Sequence, residues 1–120
     1  MEQSSTLTIG APKEALPGER RVAITPTVVA GYVKAGFRVL IEAGAGASAG
    51  FSDQAYVDRG AVIVTRDQAL AADVLAAVRV LGGDPESSDR ERLRPGQVVI
   101  GMAAPLAAPE VAAAVADRGA

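Results

Sequence analysis

Residues 25–42 read TPTVVAGYVKAGFRVLIE, a stretch that predicts a helix, the end of that helix and the strand that follows it. Thr25 and Pro26 form a helix start, because threonine suits the capping position and proline suits the first helical position, where its missing N–H costs nothing. Gly36 suits the residue just past a helix, and residues 37–42 have the β-branched and aromatic side chains of a strand. The apolar residues at helical spacing are Val28, Val29, Tyr32 and Val33.

The segments on both sides of residues 25–42 continue this alternation. Apolar runs predict further strands at Leu7–Gly10, Ala61–Val64, Val74–Leu81 and Val98–Ile100. Capping and helical-spacing patterns predict further helices at Asp53–Arg59, from Thr65 with its capping-box partner Gln68, from Asp84, and at Pro109–Arg118.

This order of elements predicts an α/β fold, an open, doubly wound parallel sheet of Rossmann or flavodoxin type with about five βα units. Ala61–Val64 and Val98–Ile100 are continuous apolar runs, which predicts strands covered on both faces of the sheet. The chain ends after a helix and its capping Gly119, where an alternating chain would enter another strand. We therefore expect a truncated domain.

The composition excludes several classes of function. The 120 residues, 49% of them hydrophobic, suit one domain, and the absence of Cys and His excludes zinc fingers, thiol nucleophiles and imidazole catalysis. A net charge of −2, with both signs mixed along the chain, indicates no nucleic-acid partner. The longest uncharged run, Pro95–Pro109, has 15 residues and is too short to span a membrane, and no secretory signal precedes the first strand. No metal site is expected.

The glycine segment Gly44–Gly50 suggests a dinucleotide fingerprint but departs from it. The third glycine is one residue too far along, the next helix begins late, near Asp53, and Asp67 is the only acidic residue near the position of a ribose ligand. A strand-to-helix connection is the better interpretation of this segment.

Three charged residues are candidates for a ligand cleft. Lys13 and Glu14 follow the first strand, and the carboxyl ends of parallel strands are where open α/β sheets bind ligands. Arg21 precedes a helix start, and its planar guanidinium fits a carboxylate or phosphate. The competing interpretation is an exposed Lys13–Glu14 ion pair and a solvated arginine. No residue is predicted to be catalytic, and none is predicted with confidence to bind a cofactor within this chain.

The sequence resembles the N-terminal domain shared by alanine dehydrogenases and the α subunit of proton-translocating NAD(P) transhydrogenases. Each matching motif is short, but their succession in the correct order along almost the whole chain is specific. The motifs are residues 9–14 (IGAPKE), 17–26 (PGERRVAITP), 35–39 (AGFRV), 42–46 (EAGAG), Tyr56, 60–61 (GA), 72–74 (ADV) and 93–97 (LRPGQ).

The resemblance favours the transhydrogenase branch. Alanine dehydrogenases carry a lysine where this chain has Ala77 or Val78, and a histidine where it has Met102, Ala103 or Ala104. Residues 102–110 (MAAPLAAPE) are similar to a transhydrogenase segment with two prolines and a glutamate that opens a helix. The lysine is common to both branches, so its loss leaves any ligand role of that strand open. Arg21 stands where the dehydrogenases grip the substrate carboxylate, a role that the transhydrogenases do not need.

The resemblance implies that residues 1–120 form the outer domain of the NAD(H)-binding subunit, without the later Rossmann domain that holds the nucleotide. The complete enzyme would transfer hydride between NADH and NADP, coupled to proton movement, and this part alone would be inactive and would bind neither NAD(H) nor NADP(H). Its partners would be the remainder of the α subunit, the membrane-spanning and NADP-binding subunits, and a second copy in a homodimer. Its location would be cytoplasmic, at the face of the inner membrane. The alternatives are the substrate domain of an alanine dehydrogenase-like enzyme and a non-catalytic α/β interaction module.

Overall fold

The computed structural model of the chain describes residues 7–14, 18–79, 93 and 95–102, and within them it has five strands and three α-helices. The strands are β1 (Thr8–Ala11), β2 (Arg38–Glu42), β3 (Val62–Val64), β4 (Val74–Arg79) and β5 (Val98–Met102). The helices are α1 (Pro26–Lys34), α2 (Asp53–Val57) and α3 (Arg66–Leu70), and a 3-10 turn covers Ala47–Ala49.

The five strands form one sheet in the order β3-β2-β1-β4-β5, and every pair of neighbours is parallel. The chain moves outward from β1 to β3 and then returns past β1 to β4, so the direction of winding reverses between β1 and β4. This is the doubly wound α/β sheet predicted from the sequence. The reversal point is where such sheets bind ligands, because the connections diverge there.

The two winding directions place helices on opposite faces of the sheet. Right-handed crossovers put α1 and α2 on one face and α3 on the other. On the first face, here called the α1 face, Val29 of α1 and Tyr56 of α2 are fully buried in the main core. On the opposite face, α3 lies so close to β1 that a Cβ added at Gly10 would meet the main chain of Ala69.

The prediction that Ala61–Val64 and Val98–Ile100 are covered on both faces is wrong. Among the described strands, β3 and β5 are the two edges of the sheet. Val62 is 41% exposed, Val98 is 51% exposed and Ile100 is 58% exposed. An uninterrupted apolar run is consistent with a strand covered on both faces, but side chains on one face of each of these two strands are exposed.

The helix starts agree with the sequence, with differences in detail. Thr65 begins α3 with a complete capping box to Gln68. Thr25 occupies the capping position of α1 but makes no side-chain hydrogen bond there. Gly36 has a φ of 100°, the left-handed conformation expected just past the helix. Of the apolar residues at helical spacing in α1, Val29 is buried, whereas Val28, Tyr32 and Val33 are exposed.

Several predicted elements lie outside the described residues. These are the helix starting at Asp84, the helix Pro109–Arg118, and the last two residues of the strand predicted at Val74–Leu81. Within the described part of the chain, no helix combines the length and the apolar character needed to cross a membrane.

Candidate functional site

A cleft of about 640 Å³ opens on the α1 face of the sheet, beside β4. The segment before α1 forms one wall of the cleft, and the side chains of β4 and β5 form its floor. Its lining includes residues of β1 and β4, the two strands between which the direction of winding reverses. Its lining residues are Ile9, Arg21, Val22, Ala23, Ile24, Tyr32, Phe37, Val74, Ala76, Ala77, Val78, Ile100 and Gly101.

Arg21 is the charged residue of the cleft lining. Its side chain is 63% exposed, and its guanidinium binds the carboxylate of Glu19 through Nε at 2.9 Å and Nη2 at 3.0 Å. The hydrogen bonds that Arg21 donates to Glu19 are the main cause that raises the pKa of Arg21, followed by the charge of Glu19, with a smaller contribution from Glu14. The guanidinium is a cation paired with Glu19 beside an apolar cleft.

Glu14 joins the end of β1 to the floor of the cleft. Its Oε2 accepts a hydrogen bond of 2.9 Å from the main-chain N–H of Val78 in β4. The described pairing of β1 with β4 ends at Gly10 and Leu75, so Val78 lies past the end of that ladder. The Glu14 carboxylate binds the Val78 N–H there and so holds this part of the cleft floor.

Lys13 has an exposed side chain, and its main chain is held on both sides. Its N–H donates to Glu42 Oε1 at 2.7 Å, and its carbonyl accepts from Arg66 Nη1 at 2.8 Å. Arg66 also binds Glu42 Oε1 at 2.8 Å. Sequence reasoning missed Glu42 and Arg66 as partners of this segment. Glu42 ends β2 and Arg66 opens α3, positions that meet only once the strand order is known.

The structure therefore brings two of the three candidate residues together. Glu14 and Arg21 lie close enough for the Glu14 charge to act on the guanidinium. Arg21 lines the cleft, and Glu14, which is not a lining residue, binds the lining residue Val78. Lys13 follows β1 at the edge of the sheet where the strands end, but it is not among the residues that line the cleft.

The glycine segment Gly44–Gly50 does not fit a pyrophosphate. A Cβ added at Gly46 would lie 2.7 Å from both Cε2 and the hydroxyl of Tyr56, so this glycine makes room for a buried ring. The N–H of Gly44 donates to Asp53 Oδ1 at 2.9 Å. A 3-10 turn follows in place of a long helix. The segment is the connection predicted from the sequence, and it offers no cradle for a nucleotide.

Other motif residues also have structural roles. The hydroxyl of Tyr56 donates to the carbonyl of Ile24 at 2.7 Å, and burial, together with the charge of Asp53, raises the pKa of Tyr56 to about 12. The buried amide of Gln97 donates to the carbonyls of Leu70 and Ala72, both at 2.7 Å. These two bonds satisfy main-chain oxygens at the end of α3.

Asp73 links the first residues of β1 and β4 through hydrogen bonds to Thr8. Its Oδ2 accepts from the N–H of Thr8 at 2.9 Å and from the Thr8 hydroxyl at 3.1 Å. Its own N–H donates to the same hydroxyl at 2.9 Å. Asp73 thus ties β1 to β4, at the opposite end of the sheet from Glu14. Among the described residues there is no group of acidic side chains that could hold a metal ion.

Comparison with known proteins identifies the relatives of this chain. The profile of the family described as "Alanine dehydrogenase/PNT, N-terminal domain" matches residues 10–120. The NAD(P) transhydrogenase subunit alpha of Cereibacter sphaeroides is 41% identical over 114 residues, which cover 93% of this chain and 21% of the relative. The alanine dehydrogenase of Bacillus subtilis is 37% identical over 112 residues, 92% of this chain and 29% of the relative.

Solved structures agree with both kinds of relative. An L-alanine dehydrogenase superimposes with a TM-score of 0.84 at 31% identity, over 93% of this chain and 30% of that chain. A transhydrogenase from Sinorhizobium meliloti superimposes with a TM-score of 0.83 at 35% identity, over 93% of this chain and 31% of that chain. The chain therefore spans less than a third of the length of these relatives.

Proposed function

This chain belongs to the alanine dehydrogenase/PNT N-terminal domain family, and we propose that residues 1–120 form the outer domain of the NAD(H)-binding α subunit of a proton-translocating NAD(P) transhydrogenase. Family membership relates the chain to two kinds of oxidoreductase, one that exchanges hydride between nucleotides and one that acts on an amino acid. The choice between them depends on the chemistry of the cleft.

The observation that carries the proposal is the lining of the cleft. An amino-acid dehydrogenase must move a proton as well as a hydride, and proton transfer needs a side chain whose pKa lies near the working pH. The described lining offers Arg21, which stays protonated, and the phenol of Tyr32, but no carboxylate, lysine or histidine. Nothing in the described lining is suited to that proton transfer.

Hydride exchange between two nicotinamides makes smaller demands on the side chains. When bound, NADH supplies the hydride and NADP⁺ accepts it, so the protein must position the two rings and exclude water. A cleft lined largely by aliphatic side chains, with Val78 of β4 bound by Glu14, suits exclusion of water and close packing. The Gly44–Gly50 segment does not fit a pyrophosphate, which supports placing both cofactors outside this domain in the complete enzyme.

The proposal extends to partners and location. The outer domain would pack across a cleft from the Rossmann domain of the α subunit, within a homodimer of the NAD-binding component. The membrane-spanning and NADP-binding subunits would hold this assembly at the cytoplasmic face of the inner membrane. Glu14 and Arg21 would border the cleft between the domains, with Lys13 at its rim.

The test follows the hydride in the complete natural enzyme. NADH carrying deuterium at C4 is incubated with NADP⁺ and, separately, with pyruvate and ammonium, and the products are examined by mass spectrometry. We expect deuterium in NADPH and none in alanine. Deuterium in alanine would instead establish the dehydrogenase alternative, which the 37% identical relative and the retained Arg21 favour.

A calorimetric titration of NADH into the 120-residue chain tests whether the nucleotide binds outside this domain. We expect no heat of binding, because the Gly44–Gly50 segment, the glycine-rich stretch nearest to a dinucleotide fingerprint, provides no phosphate cradle. Binding in the micromolar range would contradict the placement of the nucleotide outside this domain.

A further inference from the structure

Glu42 at the end of β2 and Arg66 at the start of α3 bind the main chain of Lys13 in a hydrogen-bonded cluster, here called the Lys13 clamp. We propose that Glu42 and Arg66 are positioning residues of the cleft, which act by fixing the main chain of Lys13. Glu14, the next residue, is thereby placed to hold the N–H of Val78 in the cleft floor. This role goes beyond the proposed function, because it concerns the shape of the cleft whichever reaction the complete enzyme performs.

The three groups of the Lys13 clamp contact one another in a closed arrangement. Glu42 Oε1 accepts from the N–H of Lys13 at 2.7 Å and from Arg66 Nη1 at 2.8 Å. The same Nη1 donates to the carbonyl of Lys13 at 2.8 Å. The two peptide units that flank Lys13 are therefore both held, one through its N–H and the other through its carbonyl oxygen. Because each residue has only two soft backbone torsions, these bonds fix the direction in which the chain enters Glu14.

Both side chains of the Lys13 clamp extend from well-supported positions. Glu42 is the last residue of β2 and pairs with Val64 of β3. Arg66 is the first residue of α3, and the capping box of Thr65 and Gln68 holds that helix start. The side chain of Glu42 is 16% exposed and that of Arg66 is 30% exposed, so water and salt screen this ion pair less than a fully exposed one. The clamp can therefore hold Lys13 in one position.

Glu14 transmits the position of Lys13 to the cleft. Its Oε2 accepts from the N–H of Val78 at 2.9 Å. The described ladder between β1 and β4 ends at Gly10 and Leu75, so this side-chain bond joins the two segments beyond the last ladder pair. Val78 lines the cleft. A shift of the Lys13 main chain would therefore draw the carboxylate away from Val78 and change the cleft floor.

Hydrogen exchange of the Val78 N–H, followed by NMR in the 120-residue chain, tests this role. We expect Arg66→Met to speed the exchange by about tenfold or more, because it removes both hydrogen bonds of Nη1 and frees the Lys13 main chain to move. The N–H of Thr8 is the internal reference, since it also binds a carboxylate between β1 and β4, and its exchange should not change. Arg59→Met, at an exposed position just past α2, is the matched control and should change neither amide.

A double variant tests whether the effect passes through Glu14. Glu14→Ala alone should speed the exchange of Val78, and Arg66→Met should add nothing in that background, because the bond through which it acts is already lost. Additive effects of the two substitutions, or equal acceleration at Thr8 in Arg66→Met, would overturn the proposal. Unchanged exchange of Val78 in Arg66→Met would overturn it as well.

Conservative and non-conservative substitutions of Glu42 separate positioning from simple packing. Glu42→Gln keeps a side-chain oxygen that can accept from the N–H of Lys13, and it should preserve slow exchange of Val78. Glu42→Leu has a side chain of similar size without an acceptor, and it should speed the exchange as Arg66→Met does. Slow exchange in both variants would show that the hydrogen bonds of Glu42 do not hold the cleft floor.

Turnover of the complete natural enzyme gives a further measurement, which rests on the proposed function. We expect Arg66→Met to lower kcat for hydride transfer from NADH to NADP⁺ by about tenfold or more, because a misplacement of about 1 Å can cost about a hundredfold in rate. The KM for NADH should change less, since the nucleotide is placed outside this domain. An unchanged kcat in a variant whose Val78 exchange is fast would contradict the positioning role. A natural enzyme that transfers no hydride would contradict the proposed function and leave the exchange results to decide on the Lys13 clamp.

Discussion

At the level of single residues, close contacts explain why Gly10 and Gly46 of the sequence motifs must be glycine. A Cβ at Gly10 would meet the main chain of Ala69 and lie 2.8 Å from the Cβ of Ala72, and one at Gly46 would lie 2.7 Å from the ring of Tyr56. Real Cβ atoms do not approach other atoms so closely. These glycines are needed for packing between elements, and no ligand has to be invoked for either.

Gly10→Ala should destabilise the protein. The added methyl group would meet main-chain atoms at the end of α3, which cannot rotate away, so α3 must move off β1 at a cost of about 1–3 kcal/mol. Gly31→Ala is the matched control, because a Cβ there meets nothing within 4 Å and alanine suits a helix better than glycine by roughly 1 kcal/mol. Urea unfolding should move the two midpoints in opposite directions, and an unchanged midpoint in Gly10→Ala would contradict the close packing of α3.

Tyr56 should make stability depend on pH in the alkaline range. Its pKa is raised from 10.0 to about 12, mainly by burial, so folding favours the neutral phenol. The stabilisation is complete below pH 10 and is lost as the pH rises from 10 to about 12. Tyr56→Phe should remove this part of the pH dependence. It should also cost about 1–3 kcal/mol at neutral pH, because the Ile24 carbonyl loses its donor. Chemical unfolding at several pH values measures both effects, and an equally steep alkaline loss in Tyr56→Phe would exclude Tyr56 as its source.

Among the helices, α1 and α3 both start at a threonine, but the two threonines differ in their hydrogen bonds. Thr65 accepts from the N–H of Gln68 at 3.3 Å, and Gln68 Oε1 accepts from the N–H of Thr65 at 3.0 Å. Thr25 precedes a proline and makes no side-chain capping bond. Proline already presets the first helical turn, so α1 depends less on its cap.

Thr65→Ala should therefore cost more than Thr25→Ala. Loss of a working threonine cap typically costs about 1 kcal/mol, whereas removal of an unused hydroxyl should cost a few tenths at most. Equilibrium unfolding of the two variants in the same buffer measures the difference. Equal losses would mean that Thr25 caps α1 in solution.

Local chemistry made the helix starts, the glycine ends and the alternation of strands and helices predictable, because each depends on neighbours in sequence. The edge positions of β3 and β5 were not predictable in this way. Continuous apolar runs suit any strand of a parallel sheet, and only the strand order places Val62 and Ile100 at the margins. The same limit applies to the candidate site. Glu14 and Arg21 were predictable as site residues because they lie just after β1 and just before α1 in the sequence. Glu42 and Arg66 were not predictable as partners of Lys13, because they meet it only in the folded sheet.

In the molecule as a whole, two side-chain contacts join the half of the sheet formed by β1, β2 and β3 to the half formed by β4 and β5. Thr8 and Asp73 link β1 to β4 at the start of the strands, and Glu14 and Val78 link the same elements at their ends. The partners are 65 and 64 residues apart in sequence, so no local pattern indicates that they meet. Between these contacts the described ladder of β1 with β4 has two residue pairs, against four for β1 with β2. The seam between β1 and β4 is thus the more weakly paired side of the central strand.

In the Thr8→Val variant, β1 and β4 should separate before β1 and β2 do. Valine keeps the shape of threonine and its main-chain bond to Asp73, but loses the two hydroxyl bonds to the carboxylate and the N–H of Asp73, at a cost of about 1–3 kcal/mol. Amide hydrogen exchange should then speed up in β4 and β5 more than in β2, because partial opening follows the weakest ladder. Thr27→Val, an exposed position in α1, is the control and should leave exchange in the sheet unchanged. Equal acceleration in β2 and β4 would show that the sheet opens as one unit, and that the reversal of winding at β1 does not divide the domain into separate cooperative halves.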